Sequence, residues 1–385
     1  MALKIASRGN IPPFIVMDVM RAANARAARG DDILHMEVGQ PGTPAPAPVL
    51  AAARKALDTD LIGYTDAFGV PELRQRLSRH YQDYYGQPVD PGRIAVTTGS
   101  SGAFIVSFLS VFDAGDRVAL ADPGYPAYRN ILKALDIDVV GLPVGPETNY
   151  QPTPGVLDRV TGDLDGLIIA SPSNPTGTMI GDDDMAALVN YCQSRGIRII
   201  SDEIYHGITY GRRAETILKH TDDAIVINSF SKYFSMTGWR LGWMVVPESL
   251  LRSVECLLQN LFISPPTLSQ LAGIAAFDCG RELDGYVANY AKNRNLLLSE
   301  LPKAGFDKLS KADGAFYLYA DVSHLTHDSE DLCRRILAET GVAVTPGIDF
   351  DPERGNRTVR FSFAGPGEDM AEAARRLVDW NGGRS

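Results

Sequence analysis

The run Ser229-Phe230-Ser231-Lys232-Tyr233-Phe234-Ser235-Met236-Thr237-Gly238-Trp239-Arg240-Leu241-Gly242-Trp243 decides how this chain is read. The apolar stretch Ala224-Ile225-Val226-Ile227 comes just before it, so a strand is predicted to deliver Lys232 to a loop. A protonated amine is a poor nucleophile. A lysine flanked by hydroxyls and by a second cation, Arg240, can nevertheless form a Schiff base with an aldehyde cofactor. The same hydroxyls and arginine can hold a phosphate. For an isolated Ser-Lys pair a solvated surface loop is the simpler reading; for the whole run it is not.

Working outward, short β-branched runs alternate with longer amphipathic ones. Strands are expected at Ile94–Thr97, Arg117–Leu120, Asp138–Leu142, Gly166–Ala170, Arg198–Ser201, Ala224–Ile227 and Gly242–Val246. Helical stretches such as Ser101–Phe112, Pro126–Leu135 and Asp182–Arg195 lie between many of them. The pattern predicts an α/β fold: a three-layer α/β/α large domain around a mainly parallel seven-stranded sheet, whose ligands bind at the carboxyl ends of the strands. After Pro247 come helices at Glu248–Leu261, Pro266–Cys279 and Arg281–Leu301. A smaller α+β domain follows, with strands at Ala315–Asp321 and Thr358–Phe363 and helices at Ser329–Thr340 and Glu368–Asp379. The expected units are an N-terminal segment (1–45), a large domain (46–285) and a small domain (286–385). The stretch Pro41–Pro48 reads as a rigid connection.

A chain of 385 residues with 45% hydrophobic content can bury a large core. Its net charge of -10 argues against sequence-independent nucleic-acid binding, which needs basic surface to displace counterions. Anionic substrates must therefore meet local positive groups. Cys192, Cys256, Cys279 and Cys333 are scattered and are expected to be reduced, buried thiols. Neither a signal peptide nor a membrane-spanning run is evident, so the cytoplasm is the default location. The six histidines match no metal spacing and receive no role; His324 and His327 read as surface residues.

The lysine run resembles the motif of fold-type I pyridoxal-phosphate (PLP) enzymes, specifically the class I/II aminotransferases. That family carries serine, any residue, serine and the Schiff-base lysine, then Gly-x-Arg-x-Gly; here these are Ser229, Ser231, Lys232, Gly238, Arg240 and Gly242. Further motifs follow in the family's order from about Gly39 to Arg360. In the family the N-terminal segment also packs on the small domain.

A PLP site needs a phosphate cup, and Thr97-Thr98-Gly99-Ser100-Ser101-Gly102 follows a strand and opens a helix. Backbone N–H groups and the helix dipole would face the anion there, with hydroxyls from Ser100 and Ser101. The match of Asp202-Glu203-Ile204-Tyr205 to Asp-Glu-x-Tyr implies that Asp202 pairs with the ring nitrogen and Tyr205 bonds the ring oxygen; a helix N-cap is the alternative for Asp202. The resemblance gives Tyr125 a stacking role on the ring. It gives Asn174, in Asn174-Pro175-Thr176-Gly177, contacts to the ring oxygen and the substrate carboxylate, a role compatible with turn chemistry. Arg360 lies in the alternating strand Thr358–Phe363, where a charge is costly unless it pairs with an anion. By resemblance it clamps the α-carboxylate; an outward-facing strand position is the alternative.

Gly39 matches the family's substrate-closing glycine. Tyr64 matches a tyrosine that reaches the neighbouring subunit's phosphate, which implies a homodimer with shared sites. The resemblance thus implies a PLP-dependent transaminase moving an amino group from an L-amino acid to a 2-oxo acid by ping-pong turnover through Lys232. The same cup can support a carbon-sulfur β-lyase. A PLP-binding regulator is the third reading, disfavoured because such proteins carry a basic domain ahead of this fold.

Overall fold

The computed structural model describes residues 3–382. Its first strands are β1 (Leu34–His35), β2 (Ile94–Thr97), β3 (Arg117–Asp122), β4 (Asp138–Pro143), β5 (Gly166–Ala170), β6 (Arg198–Asp202), β7 (Ile225–Ser229) and β8 (Gly242–Val245). Then come β9 (Lys308–Leu309), β10 (Tyr317–Asp321), β11 (Val342–Ala343), β12 (Thr345–Pro346) and β13 (Thr358–Ser362). The helices begin with α1 (Ile15–Ala27), α2 (Ala47–Thr59), α3 (Pro71–His80), α4 (Gly99–Val111), α5 (Pro126–Ala134), α6 (Pro154–Leu157) and α7 (Asp182–Ser194). They continue with α8 (Leu251–Leu261), α9 (Thr267–Ala276), α10 (Gly280–Glu300), α11 (Ser329–Thr340) and α12 (Gly367–Gly382).

The large sheet has seven strands in the order β2-β8-β7-β6-β5-β3-β4. From β7 to β4 all pairings are parallel, while β8 runs antiparallel to both its neighbours. The mainly parallel seven-stranded sheet read from the sequence is therefore present. Successive strand residues face opposite ways and both faces are covered. Ile200, Ile227 and Met244 join Phe104 and Phe108 on one side. Ile199, Val226 and Val245 join Leu188 and Val189 on the other. This double burial is why the strands read as continuous apolar runs.

A smaller sheet, β12-β13-β10-β9, is antiparallel throughout, and β1 pairs in parallel with β11. Helix α11 packs against β12 and β13, α12 packs against β1, β11 and α10, and α1 lies against β11 and β12. Several boundaries differ from expectation. Strand β7 runs on to Ser229 because Asn228 and Ser229 pair with Trp243 and Gly242. Strand β10 starts at Tyr317 rather than Ala315, whose φ of 56° is incompatible with extended pairing. The Pro41–Pro48 stretch ends inside α2, with Pro48 in its first turn, where a missing N–H is tolerated. Cys192, Cys279 and Cys333 are buried thiols as expected, but Cys256 is only half-buried. Among the described residues no helix is long and apolar enough to cross a membrane.

Parallel pairing brings the carboxyl ends of β3, β5, β6 and β7 to one edge of the sheet. Thr97 and Ser229 both pair with Gly242, so the end of β2 joins them there. The loops after these strands carry Tyr125, Asn174, Tyr205, Lys232 and the start of α4.

Candidate active site

A cavity of about 200 Å³ opens at this edge, walled by the large sheet, by β10 and β13, and by the start of α1. Of the residues singled out in the sequence, Gly39, Ser100, Ser101, Tyr125, Asn174, Asp202, Tyr205, Ser231, Lys232, Arg240 and Arg360 line it. Ser229 and Tyr64 do not. Ser229 sits behind the wall, its Oγ 2.8 Å from Ser231 Oγ and donating to the Leu241 carbonyl at 3.2 Å. Tyr64 is 82% exposed on the surface of the chain.

One end of the cavity is built for an anion. Gly99 turns the chain from β2 into α4 with a φ of 67°, and a side chain there would strike the Arg240 guanidinium. Gly242 lets β8 approach the same turn: a Cβ on it would lie 2.9 Å from Gly99 C and Ser100 N. The free N–H groups at the start of α4 therefore meet the hydroxyls of Ser100, Ser101 and Ser231 and the Arg240 charge. Arg240 Nη1 is steadied by the Thr237 carbonyl at 2.9 Å.

Lys232 Nζ donates to the Gly39 carbonyl at 2.7 Å. Burial, then the charges of Arg360 and Arg240, push its pKa down to about 8 against the opposing pull of Asp202. Asp202 ends β6, buried on the cavity floor. One carboxylate oxygen accepts the Tyr128 hydroxyl, and the other accepts the Ile204 N–H at 3.0 Å. Burial raises the Asp202 pKa to about 6, and these hydrogen bonds hold it back. No helix follows β6, so the N-cap reading of Asp202 is replaced by a carboxylate closing a turn. The Tyr205 hydroxyl lies 2.6 Å from that of Tyr317.

Arg360 is 2% exposed. Its Nη1 donates to Asn174 Oδ1 at 2.8 Å, and its Nη2 donates to the Glu37 carbonyl and to Thr345 Oγ1. The guanidinium lies over two aromatic rings, 4.4 Å from the Tyr317 ring centre and 4.6 Å from that of Phe350. Its Nε is buried with no protein partner. The outward alternative fails because both faces of β13 are covered. Tyr125 meets Phe14 and Tyr128 edge-on, at 5.7 and 5.2 Å between ring centres.

Tyr317 and Tyr128 escaped sequence reasoning, as did Val16 and Met17 in the cavity wall. Tyr317 lies in an alternating strand and Tyr128 inside a helix, where aromatic residues usually fill core; no local spacing separates them from that role. Phe14, just ahead of α1, lines the cavity as well. His206 is buried with both ring nitrogens bonded, to the Tyr85 hydroxyl at 2.7 Å and the Ser171 carbonyl at 2.9 Å. His324 and His327 are exposed.

The family described as aminotransferase class I and II matches residues 31–377. A valine–pyruvate aminotransferase of Mycobacterium tuberculosis is 50% identical over 381 residues, covering 98% of each chain. An aspartate aminotransferase of Thermotoga maritima is 31% identical over 379 residues, covering 96% of this chain and 97% of its own. Among solved structures, an aminotransferase from Mycobacterium tuberculosis superposes with a TM-score of 0.97 at 49% identity, over 99% of this chain and 100% of that one. Thermus thermophilus aspartate aminotransferase with maleate gives 0.92 at 28% identity, over 98% of this chain and 100% of that one.

Proposed function

The chain belongs to the class I and II aminotransferases, and we propose that it carries pyridoxal 5'-phosphate on Lys232 and takes its amino group from L-amino acids with apolar side chains. The donor set fits that cofactor. Ser100, Ser101, Ser231, Arg240 and the start of α4 suit a phosphate, with Ser229 holding Ser231 in place. Asp202 suits a protonated ring nitrogen, and Tyr205 and Asn174 suit the ring oxygen. Tyr125 flanks the same space. When bound, the cofactor supplies an aldehyde to receive the amino group and a ring that accepts electrons from the substrate α-carbon.

The chain's own groups do the rest. With a pKa near 8, Lys232 is partly neutral at physiological pH, so it would hold the cofactor through its aldehyde and would serve as the base that moves a proton at the substrate α-carbon. Asp202, with a pKa near 6, is mostly ionised at physiological pH and would favour a protonated ring nitrogen. Arg360, which lines the cavity, binds the α-carboxylate and so pairs its buried charge. Gly39 leaves its carbonyl beside Lys232 and no side chain over the substrate.

One observation carries the substrate class. Among the described residues lining the cavity, the lysines and arginines are Lys232, Arg240 and Arg360, and each already has a role. The remaining wall includes Phe14, Val16, Met17 and Val38. A second carboxylate would be desolvated there without a partner. The 50% identical relative, a valine–pyruvate aminotransferase, supports the same class. Exposed Tyr64, beside exposed Leu61, suits a homodimer in which it completes the neighbour's phosphate site.

The test is a panel of amino donors assayed with pyruvate and with 2-oxoglutarate. Valine and other apolar donors should exceed aspartate and glutamate in kcat/KM, with no stoichiometric ammonia. The reverse ranking overturns the substrate class. Ammonia released in step with pyruvate from a cysteine conjugate, without an acceptor, favours the β-lyase.

A further inference from the structure

We propose that Tyr317 is a positioning residue whose single phenol sets both the Tyr205 hydroxyl toward the cofactor ring oxygen and the Arg360 guanidinium toward the substrate carboxylate. The inference rests on the cofactor and carboxylate roles proposed above. Tyr317 stands at the start of β10, 1% exposed, and comes from the small sheet into a cavity whose floor belongs to the large one. Its ring is fixed edge-on against Tyr205, with centres 5.7 Å apart. A side chain at Gly39 would collide with its hydroxyl, so the bare glycine is what admits the phenol.

Two hydroxyls 2.6 Å apart share one hydrogen between them. In the free chain either can donate. Once a ligand oxygen accepts the Tyr205 proton, the shared hydrogen must be the one from Tyr317. A hydroxyl that receives a hydrogen bond is a stronger donor, so Tyr317 strengthens the bond from Tyr205 to the ring oxygen. On its other side, the Arg360 guanidinium lies over the Tyr317 ring at 4.4 Å and over the Phe350 ring at 4.6 Å. The guanidinium plane is thereby held, and its in-plane N–H groups remain for Asn174, Glu37 and a carboxylate. A tyrosine that merely filled core would need neither the hydroxyl contact nor the stacking.

The experiment uses the cofactor-loaded enzyme and the variants Tyr317→Phe, Tyr205→Phe, their combination, and Tyr317→Leu. The first readout is the pH midpoint of the bound cofactor's visible absorbance, which reports the proton shared by the Lys232 nitrogen and the ring oxygen. Tyr317→Phe should move the midpoint upward, less than Tyr205→Phe does, and should add nothing in the Tyr205→Phe background. The second readout is amino-donor dissociation, followed spectrally. Tyr317→Phe keeps the ring and should stay within about twofold of wild type, whereas Tyr317→Leu should weaken binding about fivefold or more.

An unchanged midpoint in fully loaded Tyr317→Phe overturns the proposal, as does a shift that persists without the Tyr205 hydroxyl. Wild-type donor affinity in Tyr317→Leu overturns the Arg360 half. If Tyr317→Leu does not fold, a Tyr317→Trp variant, which keeps a ring beside Arg360 but no phenol, replaces it: tight donor binding with a shifted midpoint supports the proposal, and weak binding with an unshifted one refutes it. Wild-type protein that captures no cofactor would instead refute the underlying reading.

Discussion

Arg360 and Asn174 are 186 residues apart in the chain, yet Arg360 Nη1 donates to Asn174 Oδ1 across 2.8 Å. The bond ties β13 of the small sheet to the turn after β5 of the large one, directly over the cavity. It holds the guanidinium in the cavity wall, with Nε buried and without a hydrogen-bond partner.

Replacing Arg360 with alanine should weaken amino-donor binding by about 2–5 kcal/mol, since one partner of a buried charge pair is removed. Cofactor content should be unchanged. Spectral titration with donor, alongside cofactor stoichiometry, checks both; unaltered donor affinity would remove Arg360 from the carboxylate site.

Lys232→Ala should retain cofactor through the phosphate donors but lose any link that borohydride can trap. Mass spectrometry of the reduced protein decides. A trapped adduct in this variant would mean that another lysine holds the cofactor.

Capture of cofactor by the apoprotein should accelerate with rising pH through a midpoint near 8. Only the neutral amine attacks, and burial with the Arg360 and Arg240 charges brings Lys232 down to about 8. Stopped-flow absorbance measures the rate. A midpoint above 10 would show an ordinary, solvated lysine.

Gly99→Ala should lower cofactor affinity and cost about 1–2 kcal/mol in stability. The residue has a φ of 67°, unfavourable for a side chain, and a Cβ would press on Arg240. Equilibrium dialysis with the cofactor and thermal melts test the two effects separately.

Glu203 is buried beside Asp202. One of its oxygens accepts from Ser201, Thr216 and the Ile217 N–H, while Oε2 has no hydrogen-bond partner and lies 3.5 Å from Nδ1 of the buried His206. Burial raises its pKa from 4.5 to about 8. A folded-state pKa above the unfolded value gives stability that is full below pH 4.5 and is lost as pH rises through about 8. Glu203→Gln removes this titration, so the melting temperature of the wild type should fall relative to the variant across that window. Parallel Tm–pH curves would refute the assignment.

How legible was the molecule in its sequence? The strand rhythm from Ile94 to Val245 carries its own evidence, because a strand buried on both faces must be apolar throughout. The order of Ser100, Asn174, Asp202 and Lys232 at strand ends likewise implied a shared edge, since parallel pairing aligns those ends. The cavity wall was less visible. Phe14 and Val16 are brought to the site by α1, whose first N–H groups at Ile15 and Val16 bind the Asp349 carboxylate, each at 3.1 Å. No spacing within either segment records that contact.

By itself, then, the sequence determined which chemistry the chain could assemble: a lysine after a strand, an anion-binding helix start and a buried acid, each set by residues close together. Only the tertiary structure decided which way Arg360 faces and that Tyr317 joins it to Tyr205. Alternation along β13 cannot choose a face when neighbours cover both. The choice falls to Asn174 and Glu37, both far off in the chain, and to Thr345 and the Tyr317 and Phe350 rings on neighbouring segments, which together compensate the cost of burying one guanidinium.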